Sequence, residues 1–288
     1  MKNKKGIYSL LVVVLGVLCF AKPIAGKLSA FTKADKQEQT EQVATTDETD
    51  ASSVKAMGVE IPAPLKNRKE LIIKHKAYTV SYNSDTRIPN WVAWVLTPAR
   101  FVENYSRKSE KFLPDPTLPV DEAVTTDDYR GAGWDRGHMC PANDNRWDWK
   151  AMQECFYMTN MCPQHNNLNR GDWKELEDAC HKWAKEKGTI YIVCGPILYR
   201  QQHKMIGDHR VVVPEAFFKV VLSLGKHPEA IGFIYKNNSG NHPLDSYVNT
   251  VDEVETITGI DFFPSLPDNI EKKVESQSDI NHWVIDKE

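Results

Sequence analysis

Cysteine is scarce in this chain, with six in 288 residues. That is too few for a small disulfide scaffold, which needs a high density of staples in a short chain. Glycine (15) and proline (16) are near ordinary usage, and no Gly-X-Y period is present, which excludes a collagen-like protein. No apolar run reaches the roughly 20 residues that a helix needs to cross a hydrocarbon core of about 30 Å, so a polytopic membrane protein is excluded as well. There is no large excess of positive charge: 36 Lys and Arg face 39 Asp and Glu, for a formal net charge of −3. What is present, 41% hydrophobic and 26% charged residues, is the make-up of an ordinary globular protein with one large domain or two small ones.

A pI near 6.3 argues at first against a phosphate-rich partner, because such partners favour basic surfaces. The layout of the charge weakens that objection. Residues 58–110 carry nine basic against five acidic side chains, whereas 252–288 carry three against ten. The negative excess therefore sits mainly at the C-terminal end, and 268–288 reads as an acidic tail.

At the other end, Lys2, Lys4 and Lys5 precede an uncharged, mostly apolar run from Ile7 to Ala21. As a helix this run is about 22 Å long, shorter than a stable membrane span, and it reads as a signal peptide over 1–21 or, if uncleaved, a signal anchor. Export to the periplasm or medium of a bacterium is the expectation, with membrane attachment only if the leader stays. Residues 22–57, with "KADKQEQTEQVATTDETDASS" at their centre, bury too little to offset chain entropy and read as a flexible linker. If Cys19 leaves with the leader, Cys140, Cys155, Cys162, Cys180 and Cys194 remain. An odd number in an exported protein permits at most two disulfides and leaves one free thiol. A zinc site built from these thiols with His138 or His181 is a rival reading, although no C-x-x-C pair is present.

From 58 to 267 the chain reads as one domain with no internal repeat. Strands are expected at 77–83, 90–97, 154–161, 188–195, 210–214, 217–224 and 229–237, from alternation or short apolar runs bounded by Gly, Pro and Asn. A helix is expected from Asp172, read as its N-cap with Glu175 completing a capping box, to Lys187, with Gly188 as its stop. Trp173, Leu176, Cys180, Trp183 and Ala184 form its apolar face. Glu177 lies beside that face, an awkward place for a carboxylate unless a metal, an ion pair or water is near. The fold class that follows is α+β, with a largely antiparallel central sheet and flanking helices.

The densest polar cluster is "GAGWDRGHMCPANDNR" at 131–146, followed by "TNMCPQHNNLNRGDWKELE" at 159–177. Asp135-Arg136-Gly137-His138 places a carboxylate, a guanidinium and an imidazole within four residues. An imidazole can take a proton from water, and a guanidinium can offset charge on a phosphate. Asn160, Asn169 and Glu177 offer oxygen atoms of the kind a hard cation accepts.

In order, "DRGH" (135–138), "TN-x-x-PQ" (159–164), "LNRGDWKELE" (168–177) and "GP-x-x-Y" (195–199) resemble the sugar-nonspecific DNA/RNA endonuclease family, of the secreted bacterial nuclease and endonuclease G type. The resemblance covers about 58–267 and implies a ββα-metal finger. It implies His138 as general base, Arg136 and Arg107 as the phosphate-gripping arginines, and Asn169 as the direct ligand of Mg²⁺, or of Mn²⁺ or another divalent cation. Glu177 would hold that ion through water, Asn160 would support the site, and Asp135 would buttress the loop by hydrogen bonding. The implied reaction is hydrolysis of DNA and RNA with little sequence preference, leaving 5′-phosphates. No stable protein partner is implied, and a homodimer is open. Cys140 and Cys162 each follow a site residue by two, so a disulfide bracing the finger is one reading. The alternatives are a nucleic-acid-binding module without catalysis, and a zinc- or disulfide-stabilised surface domain.

Overall fold

Four long apolar strands set the frame of the molecule, because each must bury both of its faces. The structure is a computed structural model that describes residues 58–238 and 240–283. The leader at 1–21 and the linker at 22–57 lie outside the described residues. In chain order the elements are β1 (Leu71–Lys74), β2 (Thr79–Asn83), β3 (Ile88–Leu96), β4 (Asp135–His138), α1 (Trp149–Glu154), β5 (Met161–Gln164), α2 (Asn166–Arg170) and α3 (Asp172–Lys187). There follow β6 (Ile190–Ile197), β7 (Met205–Ile206), β8 (Val211–Val212), β9 (Ala216–Ser223), β10 (Glu229–Lys236), β11 (Val248–Asn249), α4 (Val251–Thr258) and α5 (Asp268–Glu275).

Seven strands form one antiparallel sheet in the order β1-β2-β3-β6-β9-β10-β11, and β4-β5 and β7-β8 form two small ladders. The expected α+β architecture with an antiparallel sheet is what the chain adopts. Alternation sends every second side chain to each face. Val92, Trp94, Ile192, Cys194, Phe217 and Val221 face the core beneath α3 and the β4-β5 ladder. Trp91, Ala93, Tyr191, Val193, Phe218 and Val220 face a second core, covered by α4 and α5. Gly232 of β10 lets α4 approach: a Cβ there would lie 2.7 Å from Val254 Cγ2.

Three local expectations are corrected. The run 154–161 is not a strand: it holds the end of α1, a turn, a single bridge from Tyr157 to Leu113 and a short 3₁₀ segment, and the ladder with β4 begins at Met161. A continuous apolar run does not distinguish a strand from buried irregular chain. The helix at 172–187 has the expected bounds, but Gly171 is its N-cap and no side chain caps it. Asp172 instead accepts hydrogen bonds from Asn241 N, His242 N and the Tyr247 hydroxyl, anchoring a distant loop. Finally, the region from 268 is not wholly a loose acidic tail. Ile270 and Val274 of α5 are buried in the second core, and Trp283 is buried edge-on to Trp183, whose indole N–H donates to the Trp283 carbonyl.

Candidate active site

The DRGH segment is β4, and its partner β5 is the TN-x-x-PQ segment, paired Asp135 with Gln164 and His138 with Met161. Gly137 is required by close approach: a Cβ there would lie 2.6 Å from Gln164 Cβ, which cannot move without its backbone. Asn160, fully buried just before β5, ties the two strands together. Its Nδ2 donates to the carbonyls of Cys140 (2.9 Å) and Cys155 (2.8 Å), and its Oδ1 accepts from Cys140 N (2.9 Å). Its amide thus clamps the turn after His138 through both its donors and its acceptor. From α3, the Trp173 indole N–H donates to the His138 carbonyl at 3.3 Å.

The His138 ring is walled by Phe112 and Phe156, with ring centroids 5.5 and 4.9 Å away. Its Nε2 is buried and has no hydrogen-bond partner among the described residues. Burial, followed by the positive charges of Arg107 and Arg136, pushes the imidazole pKa down to about 3. The ring is therefore neutral near neutral pH and free to accept a proton. Arg136 is held over the Phe112 ring, 4.5 Å from its centroid, a cation–π contact that aims the guanidinium without consuming its donors. Arg107 is exposed, in a short 3₁₀ turn at 107–109.

Asp135 draws α2 onto this hairpin. Its Oδ2 accepts from Asn169 Nδ2 (2.9 Å) and Asn166 Nδ2 (3.0 Å), and Arg170 Nε lies 3.5 Å away. Burial alone would raise the Asp135 pKa, but these hydrogen bonds and the Arg170 charge hold it below the usual range. An amide whose nitrogen is committed must present its oxygen elsewhere. Asn169 Oδ1 accepts no hydrogen bond among the described residues, so the donor set fits a hard cation at this point. α2 itself is capped by His165, whose Nδ1 accepts from Asn167 N at 3.2 Å.

Glu177 lies one helical turn beyond Trp173 on α3. The awkward position has a charge partner: Lys219, at the α3-facing parity of β9, is only 1% exposed. Lys219 also lies over the rings of Trp173 (4.4 Å) and Trp94 (5.6 Å). Burial raises the Glu177 pKa to about 7, with Lys219 opposing it and Asp144 adding to it. Asp144 is held in turn by His181 Nε2 (2.5 Å) and the Trp94 indole N–H (2.8 Å). No hydrogen bond or ion pair joins Glu177 directly to His138 or Asn169 among the described residues.

The structure thus brings Arg136 and Arg107 near enough for their charges to act on His138 and ties Asn169 to Asp135 of the same strand, with Glu177 on α3. Sequence reasoning missed Phe112, Phe156 and Lys219. Only an isolated lysine in an otherwise apolar strand, "FFKVVLS", was a signal for the last. Of the other histidines, His203 pairs with Glu215 and His209 with Asp128. Trp147 packs against the core under Arg100, whereas Trp149 is 56% exposed. An open groove of about 610 Å³ lies beside Thr125, Arg130, Lys204 and His209, and none of the candidate catalytic residues lines it.

All five cysteines from Cys140 onward are free and buried, which corrects the bridge between Cys140 and Cys162. Zinc has no cluster either: among the described residues, no three Cys and His side chains come within ligand distance of one another. No helix among the described residues is long and apolar enough to cross a membrane.

Residues 59–269 match the DNA/RNA non-specific endonuclease family. Mitochondrial nuclease EXOG of Xenopus laevis is 35% identical over 204 residues, 66% of this chain and 57% of that protein. A nuclease of Nostoc sp. is 34% identical over 233 residues, covering 76% of this chain and 82% of the other. The chain thus spans under three fifths of the Xenopus protein's length. Among solved structures, the EndoG/EndoGI complex, described as a mechanism of EndoG inhibition, aligns with TM-score 0.65 at 26% identity, covering 68% of this chain and 86% of that chain. The expectation of an exported bacterial protein is corrected here, because the relatives matched in Xenopus laevis, Homo sapiens and Schizosaccharomyces pombe are mitochondrial nucleases. With ordered motifs, a β4-β5-α2 finger and a match over most of its length, the chain belongs to the DNA/RNA non-specific endonuclease family.

Proposed function

We propose that this protein hydrolyses phosphodiester bonds in both DNA and RNA with the aid of a divalent cation, Mg²⁺ being the first choice. The observation that carries the reading is the buried Nε2 of His138, which has no hydrogen-bond partner among the described residues and feels the charges of Arg107 and Arg136. Asn169 Oδ1 would hold the ion directly and Glu177 through water, and the bound ion would supply charge stabilisation at the scissile phosphate. Arg136, braced on Phe112, and Arg107 would grip phosphate oxygens and stabilise the charge that builds up on attack. A phosphate between these guanidinium groups offsets the charges that depress His138, so substrate binding makes the imidazole a better base. His138 then takes a proton from the attacking water.

Because water is the nucleophile, the 2′-hydroxyl is not needed, and deoxyribose and ribose chains are both substrates. The 3′-oxygen leaves, so fragments carry 5′-phosphates. Contacts to phosphate in place of base edges leave little sequence preference. The test is cleavage of plasmid DNA and of a structured RNA by the purified chain, with Mg²⁺ and with EDTA. Both substrates should be degraded only with the ion, and a folded His138→Ala variant should lose at least about a hundredfold in rate, as expected for loss of a general base. Binding without cleavage by the wild-type chain would establish the non-catalytic module instead.

A further inference from the structure

On the face of the sheet opposite the candidate active site, α4 and α5 pack on β10 and on each other. Asp252 and Glu255, three positions apart on α4, share one side of that helix. Glu275 ends α5. One carboxylate oxygen from each of the three lies within 4.8 Å of the other two. Glu255 is fixed by its Oε1, which accepts from Phe262 N at 2.7 Å. Asp261 and Glu271 add two more negative charges close enough to act on Glu275. No Lys, Arg or His forms an ion pair with any of these five among the described residues.

Glu275 marks this cluster as more than a solvated acidic surface. Its side chain belongs to a residue only 7% exposed, and its Oε1 is buried with no hydrogen-bond partner among the described residues. It also sits at the C-terminus of α5, where the helix dipole disfavours negative charge. A buried carboxylate among four others must either take up a proton or find a counter-charge. The donors are all oxygen, which points to a hard cation and not to zinc. Three carboxylates converging at one point suit Ca²⁺, which takes about six to eight oxygen ligands, better than Mg²⁺, which keeps several waters and is usually held through one or two carboxylates.

We infer that Asp252, Glu255 and Glu275 form a structural site for a divalent cation of the Ca²⁺ kind, which ties α5 to α4. Asp252 and Glu255 lie within the family match and Glu275 lies beyond residues 59–269. The site is independent of the nuclease reading. The ion would offset the concentration of negative charge at the C-terminal end and secure α5 on the sheet.

The test is equilibrium dialysis of the full chain against radioactive Ca²⁺ at millimolar Mg²⁺, paired with thermal melts. About one Ca²⁺ per chain should bind, and Tm should rise by about 5–10 °C at a hundredfold excess over Kd. Binding and shift should persist in Asn169→Ala and be lost in Glu275→Gln. The exposed Asp252→Asn serves as a second variant that leaves the buried packing intact, and it should weaken binding at least about tenfold. Absence of Ca²⁺ binding by the wild-type chain overturns the inference. So does bound Ca²⁺ that survives both acidic-site variants or disappears with Asn169→Ala alone.

Discussion

Asp135 touches neither proposed substrate nor metal, yet its removal should alter how tightly the catalytic ion is held. Its Oδ2 accepts from Asn169 Nδ2 at 2.9 Å and Asn166 Nδ2 at 3.0 Å, with Arg170 Nε at 3.5 Å. The first of these bonds fixes which end of the Asn169 amide faces the site. In Asp135→Ala the amide rotates freely and offers nitrogen as readily as oxygen, and α2 loses its tether to β4. Partners that orient a ligand in this way are generally worth about 10- to 100-fold in metal affinity, or roughly 1.4–2.7 kcal/mol. The partial exposure of Asp135 places the effect toward the lower end. Asp135→Asn keeps an acceptor oxygen without the charge and should fall between wild type and Asp135→Ala. The assay is initial rate against Mg²⁺ concentration on DNA. The half-saturating concentration should rise at least about tenfold in Asp135→Ala, with much of the activity restored at high Mg²⁺, and Tm should change little. An unchanged Mg²⁺ dependence in a folded Asp135→Ala protein would refute the positioning role. A rate loss that no concentration of Mg²⁺ restores would assign Asp135 to the chemistry itself.

Two further outcomes follow from the packing. Asp115 is buried, which by itself would raise its pKa, but hydrogen bonds from His75, Thr159 and Thr117 hold it down at about 2, against an ordinary value of 3.8. A depressed acid stabilises the fold above its unfolded pKa and loses that contribution as pH falls through the folded one. The stability gap between wild type and Asp115→Asn should therefore be flat above about pH 5 and shrink by roughly 2 kcal/mol toward pH 2, measured by urea unfolding; a pH-independent gap would contradict it. Deleting 268–288 removes the buried Ile270, Val274 and Trp283 and should cost about 5–10 kcal/mol, comparable to the whole stability of a typical domain, as read by circular dichroism melts and proteolysis. An unaltered melt would restore the reading of that segment as a loose tail.

The strands of the large sheet were legible because alternation is a local property: the faces of 190–197 and 216–223 can be counted off from the residues. The same holds for the bounds of the helix at 172–187, where a periodic face meets Gly188. The capping role expected of Asp172 was not legible, because its carboxylate is claimed by backbone donors about 70 positions later. The 154–161 run failed for a related reason. Its apolar residues are buried as predicted, but Asn160 spends its amide on Cys140 and Cys155 and turns the chain where a strand would have continued.

At the site, the ordered motifs and the family they resemble pointed to His138, Arg136, Asn169 and Glu177 as candidates. What the sequence by itself determined was therefore the antiparallel α+β frame, the ordered motifs and the concentration of negative charge after 252. Only the tertiary structure decided what surrounds them. Phe112 and Phe156 enclose His138 from 26 and 18 positions away, Lys219 reaches Glu177 from another strand, the thiols stay unpaired, and Glu275 meets Asp252 and Glu255 across two helices. Those contacts depend on how separate elements pack, and no local periodicity encodes which distant side chain will remove water from a given atom.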